Sequence, residues 1–197
     1  MLTIRFRLII LLVTAMLSAC ATTPPTKFYT LSAQVTEQDN PAVSPRKVIV
    51  GVGPIEVAPY LERNQIVTRI GQTRLKLTEF DHWAAPIEDT IANVLATNLS
   101  RLLPAAEPIA RPWVDADAKY HVLVKILRFD GNATGEVRLD AKWGIQLSGE
   151  QRIPVVRDAA IVQPSLGEDY ESITQNMSLA LAALSEQIAR ELGTFLN

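Results

Sequence analysis

A chain of 197 residues that is 48% apolar can bury one sizeable core, and its 19 basic against 21 acidic side chains supply no basic excess to court nucleic acid. A single cysteine excludes a disulfide framework. The two histidines, His82 and His121, stand at metal spacing neither to each other nor to that cysteine, so no metal site and no cofactor are expected.

The chain opens with Arg5 and Arg7, runs apolar from Leu8 to Leu17, and reaches Leu17-Ser18-Ala19-Cys20. The run is about half of the roughly 20 residues that a membrane-spanning helix needs, so residues 1–19 read as a secretory signal and not as a permanent anchor. Leu17 to Cys20 matches the bacterial lipobox. There the thiol takes a diacylglyceryl group, a peptidase cuts between Ala19 and Cys20, and the freed amine receives a fatty acid such as palmitate. Each buried methylene contributes about 0.8 kcal/mol and stable anchoring takes more than one chain, so a triacylated Cys20 holds firmly. Ala21 follows where an aspartate would, in enteric bacteria, favour the inner membrane. The expected address is the outer membrane, facing the periplasm of a Gram-negative cell.

Residues 20–26 are small and proline-containing and read as a lipidated tether that reaches roughly 20 to 25 Å at full extension. A single domain is expected over residues 27–197. Phe28 to Leu31 predicts a short first strand, and Gln34 to Pro45 a polar connection. Lys47 to Val52 is a β-branched run, the pattern of a central strand covered on both faces. Gln65 to Ile70 and Thr73 to Leu77 flank Gly71-Gln72 and predict a hairpin. Apolar residues at 87, 91, 94, 95, 99, 102 and 103 form a helical stripe that Pro86 opens and Pro104 closes. Tyr120 to Phe129 predicts a strand that turns through Asp130-Gly131-Asn132. Its partner alternates Val137, Leu139, Ala141, Trp143, Ile145 and Leu147 with polar residues and glycine. Val155 to Val162 adds a strand, and Ile173 to Phe195 a second long helix behind a cap at Asp169. The fold class is α/β (mixed α+β): one domain with a mixed, mostly antiparallel sheet packed against two long helices.

Catalytic motifs fail one by one. Gly51-Val52-Gly53 lacks the third glycine of a dinucleotide fingerprint and reads as a strand end. Ser44-Pro45-Arg46-Lys47 has the spacing of an acyl-enzyme serine motif but falls in a linker with no Lys-Thr-Gly partner. His121 reads as structural and His82 as a loop residue before Trp83.

Ala58-Pro59-Tyr60-Leu61-Glu62-Arg63-Asn64-Gln65-Ile66-Val67 and Asp81-His82-Trp83-Ala84-Ala85-Pro86 stand out instead. Together with the lipobox, the Phe28-Tyr29 strand, Phe129-Asp130-Gly131 and the Trp143 strand, they make the chain resemble the ABC-type transport auxiliary lipoprotein family, and within it the lipoprotein subunit of the paraquat-inducible envelope transport system. Ala85 departs from the acidic residue expected before the proline. The resemblance implies an anticodon-binding-like or TolB-amino-terminal-like fold and a role without catalysis. It also implies partnership with an MCE-domain periplasmic protein and inner-membrane transporter components that carry lipids between membranes, and it allows a homo-oligomer. A competing expectation is a lipid-tethered periplasmic small-ligand binder or hydrolase. Two loops, Tyr60 to Gln65 and Asp81 to Ala85, are the candidate partner-binding patch, with Tyr60, Leu61, Glu62, Arg63, Gln65, His82 and Trp83 as its residues. Tyr, Trp and Arg carry much of the energy of protein interfaces. The plainer alternative has Tyr60 and Trp83 capping the core while Glu62 pairs with Arg63.

Overall fold

The computed structural model describes residues 24–36, 47–110 and 118–196. The expected signal 1–19, Cys20 and the Ser44-Pro45-Arg46 stretch lie outside them. In chain order the elements are β1 (Lys27–Tyr29), β2 (Val48–Val57), a 3-10 turn (Pro59–Leu61), β3 (Gln65–Arg69), β4 (Leu75–Trp83) and α1 (Ile87–Leu102). There follow β5 (Ala106–Ala110), β6 (Tyr120–Asn132), β7 (Val137–Leu147), β8 (Val155–Gln163) and α2 (Tyr170–Leu196).

The eight strands form one open mixed sheet, and β6 is its spine. Along one edge β6 pairs antiparallel with β7, which pairs antiparallel with β8. Along its other edge β6 takes two partners in succession, both parallel: β2 against Tyr120 to Ile126, then β3 against Gly131 and Asn132. β5 lies parallel outside β2, β4 antiparallel outside β3, and β1 parallel outside β4. Four of these seven pairings are parallel, yet the longest ladders, β6 with β7 and β7 with β8, are antiparallel, as the late sequence predicts.

Both helices cover the same face. The α1 stripe of Ile87, Ile91, Val94, Leu95 and Leu99 and the α2 stripe of Ile173, Met177, Leu181, Leu184, Ile188 and Leu192 share one core with Val122, Val124, Ile126 and Phe129 of β6 and Leu139, Trp143 and Ile145 of β7. The opposite face carries the polar alternates, among them the ion pairs Glu56 with Lys125, Arg138 with Asp140 and Lys142 with Asp158. After β1 the chain crosses the two helices as a strap. The Ser32 N–H donates to Ser178 Oγ, the Val35 N–H to Asn98 Oδ1, and Arg101 Nη1 to the carbonyls of Ala33 and Val35. Asp169 caps α2 as expected, accepting the Ser172 N–H at 2.9 Å, and the bonds from Ser172 hold its carboxyl below the usual range.

Several expectations need correction. β2 does not end at Gly53 but continues to Val57, with a register shift between Val52 and Ile55. Gly51 is therefore strand interior, and a Cβ there would meet the His121 ring at 2.6 Å, which is why glycine stands there. Asp130-Gly131-Asn132 is strand, not turn. The reversal falls at Asn132 to Gly135, where Asn132 Oδ1 accepts the N–H groups of Thr134 and Glu136. Gly131 pairs in the ladder with Thr68 and Val137, and it is glycine because a Cβ there would come within 2.8 Å of Ile173 on α2. β5 was not foreseen. Pro108 speaks against a strand, and is accommodated because β5 pairs only with β2 and sits at an edge where one missing N–H breaks no second ladder.

Candidate docking face

Where the chain passes from β2 to β3 along the same edge of β6, the intervening residues must bulge outward, and this places the first candidate loop. Its turn is anchored from below. Leu61 is buried in the core, and the Tyr60 hydroxyl donates to Asp130 Oδ2 at 2.9 Å while accepting the Phe129 N–H at 3.3 Å. Burial pushes the Tyr60 phenol up to about 12, the charge of Asp130 adds to the shift, and the Phe129 N–H opposes it.

Asp130 is fully buried (0% exposed) and lies among cations. Arg69 of β3 grips it through Nε and Nη2, the latter at 2.9 Å, and Arg128 of β6 through Nε and Nη2 at 3.0 and 2.9 Å. With Tyr60 as a further donor, the carboxylate's acceptor sites are filled, as a buried charge requires. The same bonds hold the Arg69 guanidinium above its ordinary proton affinity. This network locks the turn, β3 and β6 together.

Above that base the loop is free. Glu62, Arg63 and Asn64 are exposed, and neither Glu62 nor Arg63 forms an ion pair among the described residues, so the internal Glu62–Arg63 pair is not present. The second candidate stretch is a loop only at Ala84 and Ala85. β4 runs through Asp81, His82 and Trp83, because β1 and β3 flank it and supply ladder partners on both sides. The Trp83 N–H donates to the Asn64 carbonyl at 2.6 Å, which joins the two stretches directly. Alternation then separates their side chains. Trp83 points into the core and is 7% exposed, whereas His82 stands on the other face in one cross-strand row with Gln65 of β3 and Phe28 of β1.

Phe28 is 67% exposed and meets His82 edge to face, with ring centroids 6.2 Å apart. The structure thus sets Gln65, His82 and Phe28 in one row, with the exposed Glu62–Arg63 loop tied beside it through Asn64, while Leu61 and Trp83 are buried and Tyr60 is half-buried beneath. Sequence reasoning passed over Phe28 because a three-residue strand is too short to show which face is wet. Asp130, Arg69 and Arg128 carry one legible signal, a carboxylate between Phe129 and Gly131 and two residues from an arginine.

Among the described residues no group of three or more His, Cys, Asp or Glu side chains is placed to hold a metal, and no helix is long and apolar enough to cross a membrane. The model of a family described as the ABC-type transport auxiliary lipoprotein component matches residues 29–189. The intermembrane transport lipoprotein PqiC of Escherichia coli K12 is 23% identical over 143 residues, covering 72% of this chain and 75% of that protein, and PqiC of Shigella flexneri matches equally. A crystal structure of an uncharacterized protein superposes with a TM-score of 0.71 at 21% identity, over 86% of this chain and 99% of its own. One from Xanthomonas campestris gives 0.65 at 18% identity, over 86% and 95%. These two likenesses speak for the fold. The family match spans both candidate stretches, the Asp130 network and most of α2, and the chain belongs to the ABC-type transport auxiliary lipoprotein family.

Proposed function

We propose that this protein is a non-catalytic accessory subunit of an intermembrane lipid transport system, anchored in the outer membrane through acylated Cys20 and facing the periplasm. Its docking surface for an MCE-domain protein is the row of Phe28, His82 and Gln65 with the exposed Glu62–Arg63 loop. Tyr60, Leu61 and Trp83 hold that surface in place. The observation that carries the reading is the family match across residues 29–189, and the relatives named for intermembrane transport give its direction. The geometry supports it: an exposed aromatic and an arginine with no ion pair among the described residues stand beside a buried network, which suits binding by pre-organised side chains.

Anchoring is the part tested most simply. β1 begins at Lys27, seven residues after Cys20, so a lipid on that cysteine holds the edge of the sheet within roughly 25 Å of the bilayer. In cells fed labelled palmitate, the parent protein takes up label and sediments with outer membranes. Cys20→Ser loses the label and stays uncut or appears in the soluble fraction. Undiminished label in Cys20→Ser would overturn the anchor.

A further inference from the structure

The hairpin turn after β3 and the turn between β6 and β7 enclose an open cleft of about 610 Å³ lined by Arg69, Ile70, Gly71, Gln72, Arg128 and the Asn132 to Thr134 turn. Among the described residues no carboxylate lines it. The charge balance at its wall is uneven: one buried carboxylate, Asp130, faces two guanidinium groups, which leaves one unit of positive charge uncompensated there. On the neighbouring strand Asp140 is ion-paired with Arg138, and Glu136 accepts a hydrogen bond from the Asn132 amide.

The donors are fixed as well as charged. A guanidinium has five N–H groups. Arg128 spends its Nε and Nη2 edge on Asp130, so its outer edge, with both Nη1 hydrogens, is left over. Arg69 spends Nε and Nη2 on Asp130 and one Nη1 hydrogen on the Gln72 carbonyl, and keeps two. The side chains retain 28% and 18% exposure, so the unused donors are reachable while the stems are held. Two forks arriving from different strands call for a ligand with more acceptor oxygens than one planar carboxylate presents, and a tetrahedral phosphate meets that need. The cleft is larger than a bare phosphate and has apolar wall at Ile70 and Ala133, room for the group that the phosphate esterifies.

We propose that this cleft binds the phosphate group of a phosphate ester between Arg69 and Arg128. Lipid headgroups and soluble phosphate esters share that chemistry, and the proposal stands independently of the docking role. The test uses the full chain in neutral detergent, with the arginine Nε–H resonances of Arg69 and Arg128 followed by NMR during titration. The probes are glycerol 3-phosphate, dihexanoyl phosphatidylglycerol below its micelle concentration, and sodium chloride at matched ionic strength. Saturable shifts with the phosphates and none with chloride are expected. Arg128→Gln should weaken binding at least tenfold. Arg128→Lys keeps a cation beside Asp130 and loses the second edge, so it should weaken binding severalfold while lowering the melting temperature less than Arg128→Gln does. It also decides the matter if Arg128→Gln does not fold. Phosphatidylglycerol binding at a tenfold lower concentration than glycerol phosphate assigns the site to headgroups, and equal binding to soluble esters. No saturable shift with either phosphate, shifts matched by chloride, or full affinity in Arg128→Lys would each overturn the site.

Discussion

Tyr60 shows how one hydroxyl can serve a surface it does not reach. Its O–H donates to a buried carboxylate and accepts a backbone N–H, so Tyr60→Phe leaves both Asp130 and the Phe129 N–H one partner short. Loss of such a buried bond costs about 1 to 3 kcal/mol, read as a lowered denaturant midpoint. The pH dependence has a definite sign. A phenol raised from 10.0 to about 12 favours the folded state while it is protonated, so its contribution is complete below pH 10 and disappears between about pH 10 and 12. The absorbance titration of the parent minus that of Tyr60→Phe should therefore show a single phenol ionising near 12. A difference curve centred near 10 would mean that Tyr60 is not held against Asp130. Little of this network is legible in the sequence, because Asp130 reads as a turn residue and Tyr60 and Arg69 reach it from 70 and 61 residues away, meeting it only when β3 and β6 pair.

The strands and helices with long periodic patterns were the most legible. α1 begins at Ile87 as Pro86 predicts, and β7 keeps its alternation from Val137 to Ile145. Trp143 of β7 is 3% exposed in the core beneath α2, and its indole N–H finds no acceptor among the described residues. Trp143→Ala should cost on the order of 3 to 5 kcal/mol in thermal or denaturant unfolding. Trp143→Phe should cost clearly less, since it keeps a ring and removes a donor that is not used. Equal losses in the two variants would show that the ring body is not what holds β7 to α2. The poorly legible elements fail for physical reasons of their own. β5 is a proline-bearing edge held by a single neighbour, and the last residues of β4 look like a loop because their ladder partners, at Lys27 to Tyr29 and Gln65, come from remote parts of the chain. Asp130 and Gly131 resemble a turn because the local preference is overruled by two arginines on one side and Ile173 on the other.

In the molecule as a whole, both helices shield one face of the sheet, and the chain enters through β1, at the edge remote from β8. That arrangement sets Phe28 and His82 on and beside the strand nearest the proposed anchor, so the proposed attachment and docking would share one end of the sheet. The fold and the family were legible from the sequence. The proposed docking surface was legible only in part, because strand alternation hides Trp83 and turns His82 and Phe28 outward. The decisive measurement is the affinity of the purified full chain for the MCE-domain protein of the same cell, taken for the parent, Arg63→Ala and Trp143→Phe. The parent should bind, Arg63→Ala should bind about 2 kcal/mol or roughly 30-fold more weakly with an unchanged melting temperature, and Trp143→Phe should bind as the parent does. Absence of binding by the parent, or full affinity in Arg63→Ala, would contradict the account.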